Sequence, residues 1–394
     1  MKVLITTDLY LPSVNGVVTS VLSLAHGLAA RGHEVRILTL SDTVHTHVEG
    51  NVTYLASFDA GRLYPGLRVR GFFLKNAVRE LIRWHPDMVH SQCEFSTFPI
   101  ARTIARKCGV PLIHTYHTVY EDYTHYFSGS KRIGQAMAAH FSGYIANRTD
   151  AVIAPTEKVR RLLESYRVNA PVSVIPTGLE LSTSATQEPD ALRQTLRIPK
   201  DKRILLFLGR LAEEKNIPEL FRLLSYPELQ NTVLVLVGDG PYRAELEQLV
   251  QGMRLSERVY FVGMVPHTQV GSYYRFGDVF VNASGSETQG LTYLEAMAAG
   301  LPVICRADPC VEGLIENGKT GFACTDTSEM AHAAATLLSN PALRKNITEA
   351  AASLVSAVYT SEAFAAAAEA LYLRTAVRNT SHAAKAIRHR EMES

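Results

Sequence analysis

The sequence contains no apolar run of 18 residues, so it predicts no helix that spans a bilayer. It has no C-x-x-C and no zinc-ligand spacing; Cys93, Cys108, Cys305, Cys310 and Cys324 read as buried reduced thiols. No D-x-D occurs, so the carboxylate pair that would hold a divalent metal beside a diphosphate lacks its signature, and no metal ligand is expected. The opening stretch, MKVLITTDLYLPS, has too short an apolar segment to be a secretory leader. Asp8 interrupts it at once, and it reads as a buried first strand. Charge of one sign is scarce overall, with a net of +2. The split is uneven: residues 1–178 carry 19 Lys/Arg against 13 Asp/Glu, and residues 179–394 carry 21 against 25. The basic half suits an anionic surface.

What is present is an ordinary globular balance, 46% hydrophobic and 20% charged, in a chain of 394 residues, which exceeds one core. Short apolar strands alternate with helical spacing. KVLITT precedes a helix with Val17, Val21, Leu24, Ala25 and Leu28 on one face, and HEVRILTL, DMVHSQ, PLIHTYHT and DAVIAPT continue the alternation. After Pro176-Thr177-Gly178 a Ser/Thr-rich stretch reads as a linker. The alternation restarts with RILLFLGRL, TVLVLVGDG, RVYFVGMV, DVFVNAS and PVICRAD. The fold class is therefore α/β, with two doubly wound Rossmann-like domains, residues 1–178 and 179–360, facing a central cleft. Residues 361–394 are an Ala-rich helical tail that either frays or crosses back to brace the first domain.

Ligands of such sheets bind at the carboxyl ends of strands, so the loops there carry the chemistry. Gly16, in LYLPSVNGVVTS, is either a plain turn glycine or a point where backbone meets ligand; the stretch is not G-x-G-x-x-G. HTYHTVYEDYTHY crowds His114, His117, Tyr123, His125 and Tyr126 after a strand, a composition that suits sugar recognition. FLGRLAEEKN places Arg210 and Lys215 where they converge on a diphosphate, or where Glu213 and Glu214 neutralise them on a solvated loop. LVGDGP with Gly238 and FVGMVP with Val265 are tight turns fit to meet a nucleobase edge. In SETQGLTYLEAMAAG, a helix begins at Gly290, Leu291 and Thr292, with Glu287 ahead of it and Glu295 one to two turns inside. Unpaired amides at a helix start favour an anion, and carboxylates accept paired bonds from vicinal hydroxyls.

In order and over nearly the whole chain, these loops resemble those of the family-four retaining glycosyltransferases of the GT-B fold. The family pattern of a glutamate, seven residues and a second glutamate is matched by Glu287 and Glu295, followed by AMAAGLPVI, with GRLAEEKN upstream. LPSVNGVVTS, YHTVYEDYTHY and SETQGLTYLEAM look most like the bacterial diacylglycerol glucosyltransferases. The resemblance implies that Arg210 and Lys215 hold the donor diphosphate, Glu287 contacts the donor sugar, Glu295 binds the ribose and His117 lies on the acceptor side; Tyr123 and Tyr126, in the same aromatic loop, are acceptor candidates by composition. Gly16 matches the first-loop glycine, although many members carry two glycines where this chain has Asn15-Gly16.

The expected reaction is transfer of a hexose, glucose from UDP-glucose before others, to a hydroxyl acceptor, with retention and without a prosthetic group. The acceptor implied is a membrane lipid such as 1,2-diacylglycerol. RLYPGLRVRGFFLKNAVRELIRW supports a peripheral place on the cytoplasmic face of the membrane, through Arg68, Arg70, Phe72, Phe73, Lys75 and Trp84 against an anionic leaflet rather than a nucleic acid. Ser130–Arg148 is a second candidate, and an ordinary amphipathic surface helix is the competing reading for the first. Three rivals stand beside this function: the same transfer to a soluble acceptor, a sugar-nucleotide epimerase or hydrolase, and a non-catalytic nucleotide-sugar sensor.

Overall fold

A computed structural model describes residues 1–13, 15–59, 68–71, 75–121, 130–180 and 188–392, without the side chains of Arg70, Lys75, His267 and residues 380–392. Its contacts divide the chain into two units, Met1–Gly178 with Ser361–Ser394, and Leu179–Thr360.

In the first unit the strands are β1 (Lys2–Thr6), β2 (Glu34–Leu40), β3 (His47–Glu49), β4 (Val52–Leu55), β5 (Ser57–Asp59), β6 (Arg68–Arg70), β7 (Met88–Ser91), β8 (Leu112–Thr115), β9 (Ala151–Ala154) and β10 (Val172–Val174). The helices are α1 (Gly16–Ala30), α2 (Lys75–Trp84), α3 (Phe98–Cys108), α4 (Lys131–Ala146) and α5 (Glu157–Ser165). Eight strands form one sheet in the order β10-β9-β8-β7-β1-β2-β4-β3, parallel except at β3. The order reverses between β1 and β7, which makes their carboxyl ends the switch point.

Alternation along β1 sends side chains to opposite faces. Val3 and Ile5 join a core with Val21, Leu24 and Leu28 of α1, whereas Leu4 joins one with Ile100 and Ile104 of α3. Burial on both faces is why these strands are continuous apolar runs.

The second unit holds α6 (Pro189–Thr195), β11 (Arg203–Leu208), α7 (Ile217–Leu223), β12 (Thr232–Val237), α8 (Arg243–Gly252), β13 (Val259–Gly263), α9 (His267–Phe276), β14 (Val279–Asn282), α10 (Leu291–Ala298), β15 (Val303–Arg306), β16 (Phe322–Cys324), α11 (Thr327–Ser339) and α12 (Pro341–Val358). Its sheet is parallel in the order β13-β12-β11-β14-β15-β16, with the reversal between β11 and β14. Leu205 and Phe207 pack toward α7 and α11, and Leu206 packs toward α9 and α10.

The last helix, α13 (Ser361–Met392), belongs to the first unit. Phe364, Ala365, Ala368, Leu371 and Tyr372 are buried in the same core as α1. The helices approach closely at Gly27, where an added Cβ would stand 2.5 Å from Ser361 O and 2.7 Å from Ala365 Cβ. Arg31 meets Glu369 at 2.6 Å beside that contact. No described helix is long and apolar enough to cross a membrane.

The structure corrects two membrane expectations. Trp84 is only 9% exposed. Its Nε1 donates to Glu34 Oε1 at 2.7 Å, and Arg36 lies over its ring at 4.6 Å. Together with Leu81 it is the core-facing side of α2, so it is not presented to a lipid surface. Arg68 is half-buried, and its guanidinium is taken up by the protein's own acceptors. It donates to Ser41 O at 3.0 Å, Ser57 Oγ at 2.7 Å and Asp42 O at 2.8 Å. Phe72 and Phe73, and the side chains of Arg70 and Lys75, lie outside the described residues.

Candidate active site

The second unit gathers its charged residues at the switch point. The loop after β11 tightens into a 3-10 turn, Glu213–Lys215, and leaves it through Asn216 at φ 49°. That turn aims Lys215 toward the loop after β14, where Nζ donates to Glu287 Oε1 at 2.7 Å. Both side chains are largely shielded, 17% and 14% exposed. The same two loops meet again where Ser284 Oγ and Ser286 Oγ approach Glu214 O at 3.5 and 3.4 Å. Arg210 pairs with Glu214 at 2.5 Å. Of the two cations, Arg210 therefore takes a partner from its own loop, and Lys215 takes one 72 residues away.

Helix α10 starts at Gly290, which sits at φ 73° and ψ 60° and offers no side-chain cap. A Cβ there would overlap the Tyr293 ring, so glycine is required by both dihedral and space. The first amides of a helix, here Leu291 and Thr292, have no acceptor within it. Glu295, further into α10, accepts from Tyr274 Oη of α9 at 2.7 Å. Desolvation by the surrounding protein raises its carboxyl to about 7, with the Tyr274 bond pulling the other way.

Gly238 follows β12 at φ 128°, and a Cβ on it would overlap Gly209 O. Its N–H donates to Gly263 O at 2.9 Å. Val265 is partly buried against the second unit's core.

The first unit assembles a separate polar group at its own switch point. Asp8, just beyond β1, accepts from Thr97 N at 2.7 Å and from Phe95 N and Ser96 N at 3.2 Å. Burial pushes its carboxyl up to about 6, against those bonds. His117, two residues beyond β8, has its Nε2 2.6 Å from Gln92 Oε1. Desolvation lowers His117 to about 4, with Glu94 pulling up and His114 pulling down, so the ring is neutral at ordinary pH. Glu94 accepts from Tyr120 Oη at 2.8 Å and stands 3.3 Å from His114 Nε2. Gly16 is an exposed first residue of α1. Asn15, ahead of it, caps the helix by accepting from Val17 N and Val18 N at 3.0 Å. Tyr123 and Tyr126 lie outside the described residues.

Sequence reasoning missed Asp8, Gln92, Glu94 and Tyr274 as members of these groups. The first three follow strands β1 and β7 at a switch point, which is the signal that could have found them. Among the described residues no cluster of three or more His, Cys, Asp or Glu forms a metal site.

Two doubly wound units, each with polar groups at its strand reversal, make up the GT-B architecture. Residues 14–183 match the model for Glycosyltransferase Family 4, and residues 189–354 match that for Glycosyl transferases group 1. The alpha-monoglucosyldiacylglycerol synthase of Acholeplasma laidlawii is 32% identical over 389 residues, covering 95% of this chain and 97% of that one. The enzyme of the same name from Streptococcus pneumoniae is 36% identical over 335 residues, covering 82% and 74%. The chain belongs to the family-four glycosyltransferases, and it is a nucleotide-sugar-dependent transferase. The fold is shared with Anabaena HepE, solved with UDP and glucose, at a TM-score of 0.74 and 19% identity over 94% of this chain and 99% of that one. It is shared too with sucrose-phosphate synthase from Thermosynechococcus elongatus, at 0.74 and 22% over 95% and 98%.

Proposed function

We propose that this enzyme transfers glucose from UDP-glucose, with retention, to the hydroxyl of a membrane lipid such as 1,2-diacylglycerol. One observation carries the donor half: Lys215, Glu287 and the uncapped start of α10 are drawn together by the loops flanking the second unit's switch point. Breaking the glycosidic bond leaves charge on the departing diphosphate. Arg210, Lys215 and the amides of Leu291 and Thr292 offset it where it develops. Glu287 takes the donor sugar, and Glu295 the ribose hydroxyls. Gly238 and Val265 shape the nucleobase end, Gly238 by leaving space. In the first unit, His117 serves the acceptor side. The relatives named for monoglucosyldiacylglycerol synthesis support glucose and a lipid acceptor. HepE, solved with UDP and glucose, supports a UDP-sugar.

A peripheral place on an anionic leaflet accords with α4. Its outward face carries Ile133, Met137 and Tyr144, exposed by 60%, 52% and 48%. With Arg132, Ala136, His140 and Phe141 they line a shallow cavity of about 590 Å³. Lys131 to Arg148 holds three Lys/Arg residues and no acid. An apolar stripe facing outward with basic flanks is the pattern of an interfacial helix.

A donor-by-acceptor screen read by mass spectrometry tests the reading. UDP- and GDP-sugars are offered with diacylglycerol, glycolipids and soluble sugars. UDP-glucose with diacylglycerol should give the dominant product; a soluble sugar as the preferred acceptor, or turnover without any acceptor, would replace it.

A further inference from the structure

His117 is held by a row of buried groups that the transfer reading does not use. Its Nε2 lies 2.6 Å from Gln92 Oε1. The other end of that amide, Gln92 Nε2, lies 3.3 Å from His90 Nε2. His90 Nε2 also meets Thr115 Oγ1 at 2.7 Å, and His90 Nδ1 meets Tyr372 Oη of α13 at 2.6 Å. Gln92, His90, Thr115 and Tyr372 are at most 1% exposed, so water does not relieve a mismatched proton anywhere along the row.

The chemistry of each group sets the order of protons. An amide N–H can only donate, so His90 Nε2 accepts from Gln92 and from Thr115. Burial lowers His90 to about 3, so the ring is neutral and its single proton sits on Nδ1, facing Tyr372. The amide oxygen can only accept, so His117 donates from Nε2. His117 is neutral as well, which leaves Nδ1 with a lone pair. Nδ1 has no hydrogen-bond partner among the described residues, and the ring retains some exposure.

We infer that Gln92 is a positioning residue: it fixes the neutral His117 ring with its proton on Nε2, so that Nδ1 is presented as an acceptor to a substrate hydroxyl. His90, Thr115 and Tyr372 hold the amide of Gln92 from turning over. Turned over, the amide would donate to His117 Nε2, move the ring proton to Nδ1 and leave no acceptor for the hydroxyl. The substrate half of this inference rests on the transfer reading; the tautomer itself does not.

Two measurements test it. Nitrogen-15 NMR of labelled histidine in the full-length protein reads the tautomer without any turnover. His117 should show a pyridine-type Nδ1 and a pyrrole-type Nε2; the reverse pattern, or a mixture, overturns the inference. The second measurement compares Gln92→Met with Gln92→Glu. Gln92→Met offers Nε2 only a weak thioether acceptor, and kcat should fall about tenfold, the worth of one hydrogen bond of about 1.4 kcal/mol, with KM for UDP-glucose unchanged.

Gln92→Glu restores an acceptor but makes His117 easier to protonate. The groups already facing it, Glu94 above all and His114 in the other sense, remain. The ratio of its kcat to the wild-type kcat at the same pH should therefore rise with pH toward one, because the wild-type ring, at about 4, stays neutral above pH 6. A ratio of one at every pH in both variants overturns the positioning role. A near-UV circular-dichroism spectrum and Tm like those of the wild type check that the unit carrying each substitution is folded. A wild-type protein that transfers no sugar fails the transfer reading instead, and the NMR result stands apart from it.

Discussion

Lys215 Nζ stands 2.7 Å from Glu287 Oε1, across 72 residues of sequence and across the strand reversal of the second unit. The pair sets the ammonium beside the carboxylate before any donor arrives. In the proposed donor site a diphosphate would meet a cation already fixed in place, which limits reorganisation when charge develops. Replacing Lys215 by Ala should lower kcat by about 10²- to 10³-fold, the range for losing one preorganised donor, while KM for the acceptor changes little. Steady-state kinetics with the acceptor varied would show it. Wild-type-like turnover would remove Lys215 from the site.

Glu295 makes stability depend on pH. Its folded pKa, about 7, lies above the ordinary carboxyl value of 4.5, because the carboxylate is desolvated. The folded state therefore binds the extra proton between those values. This contribution is fully present below pH 4.5 and is lost as pH rises through 7. Glu295→Gln keeps an acceptor for Tyr274 and carries no charge. Its Tm should exceed that of the wild type at pH 8.5 and approach it at pH 5; an equal difference at both would contradict the burial argument.

Gly238 admits no side chain. At φ 128°, with Gly209 O where a Cβ would lie, Gly238→Ala strains the backbone and forces β12 away from the loop after β11. A loss of about 3 kcal/mol or more is expected in denaturant unfolding, together with weaker UDP binding. Gly252, the last residue of α8, with nothing within 4 Å of an added Cβ, is the control.

The two candidate membrane segments make opposite predictions. Trp84 is the only tryptophan and is buried, so intrinsic fluorescence should not change when anionic vesicles are added. Ile133, Met137 and Tyr144 are exposed, so changing all three to Ser should leave Tm nearly unchanged. Flotation of that variant with phosphatidylglycerol vesicles at low salt should be lost. A fluorescence shift in the wild type, or undiminished flotation of the variant, would return the contact to residues 62–84.

The strand–helix alternation and the positions of the loops were readable because a parallel sheet buried on both faces writes itself as repeated apolar runs. Arg210, Lys215, Glu287 and Glu295 were visible because each lies within a few residues of a strand end or helix start. Their partners were not. Nothing local couples Lys215 to Glu287, or Tyr274 to Glu295 across 21 residues. Still less does sequence couple His90 to Tyr372 across 282. Trp84 shows the opposite error. Arg79, Glu80 and Arg83 beside apolar residues gave α2 the look of an interfacial helix, but Leu81 and Trp84 share the face that meets the sheet. In α4 the apolar residues Ile133, Met137 and Tyr144 face outward while Gly134, Ala138 and Ser142 face in, an inversion that only the packed structure reveals.

Proton NMR of the product formed from UDP-glucose and 1,2-diacylglycerol tests the central claim most directly. The account predicts a monoglucosyl lipid with the α-anomeric signal, retained from the donor, together with one UDP per sugar transferred. A β-anomeric product, or free glucose released with the lipid unchanged, would contradict it.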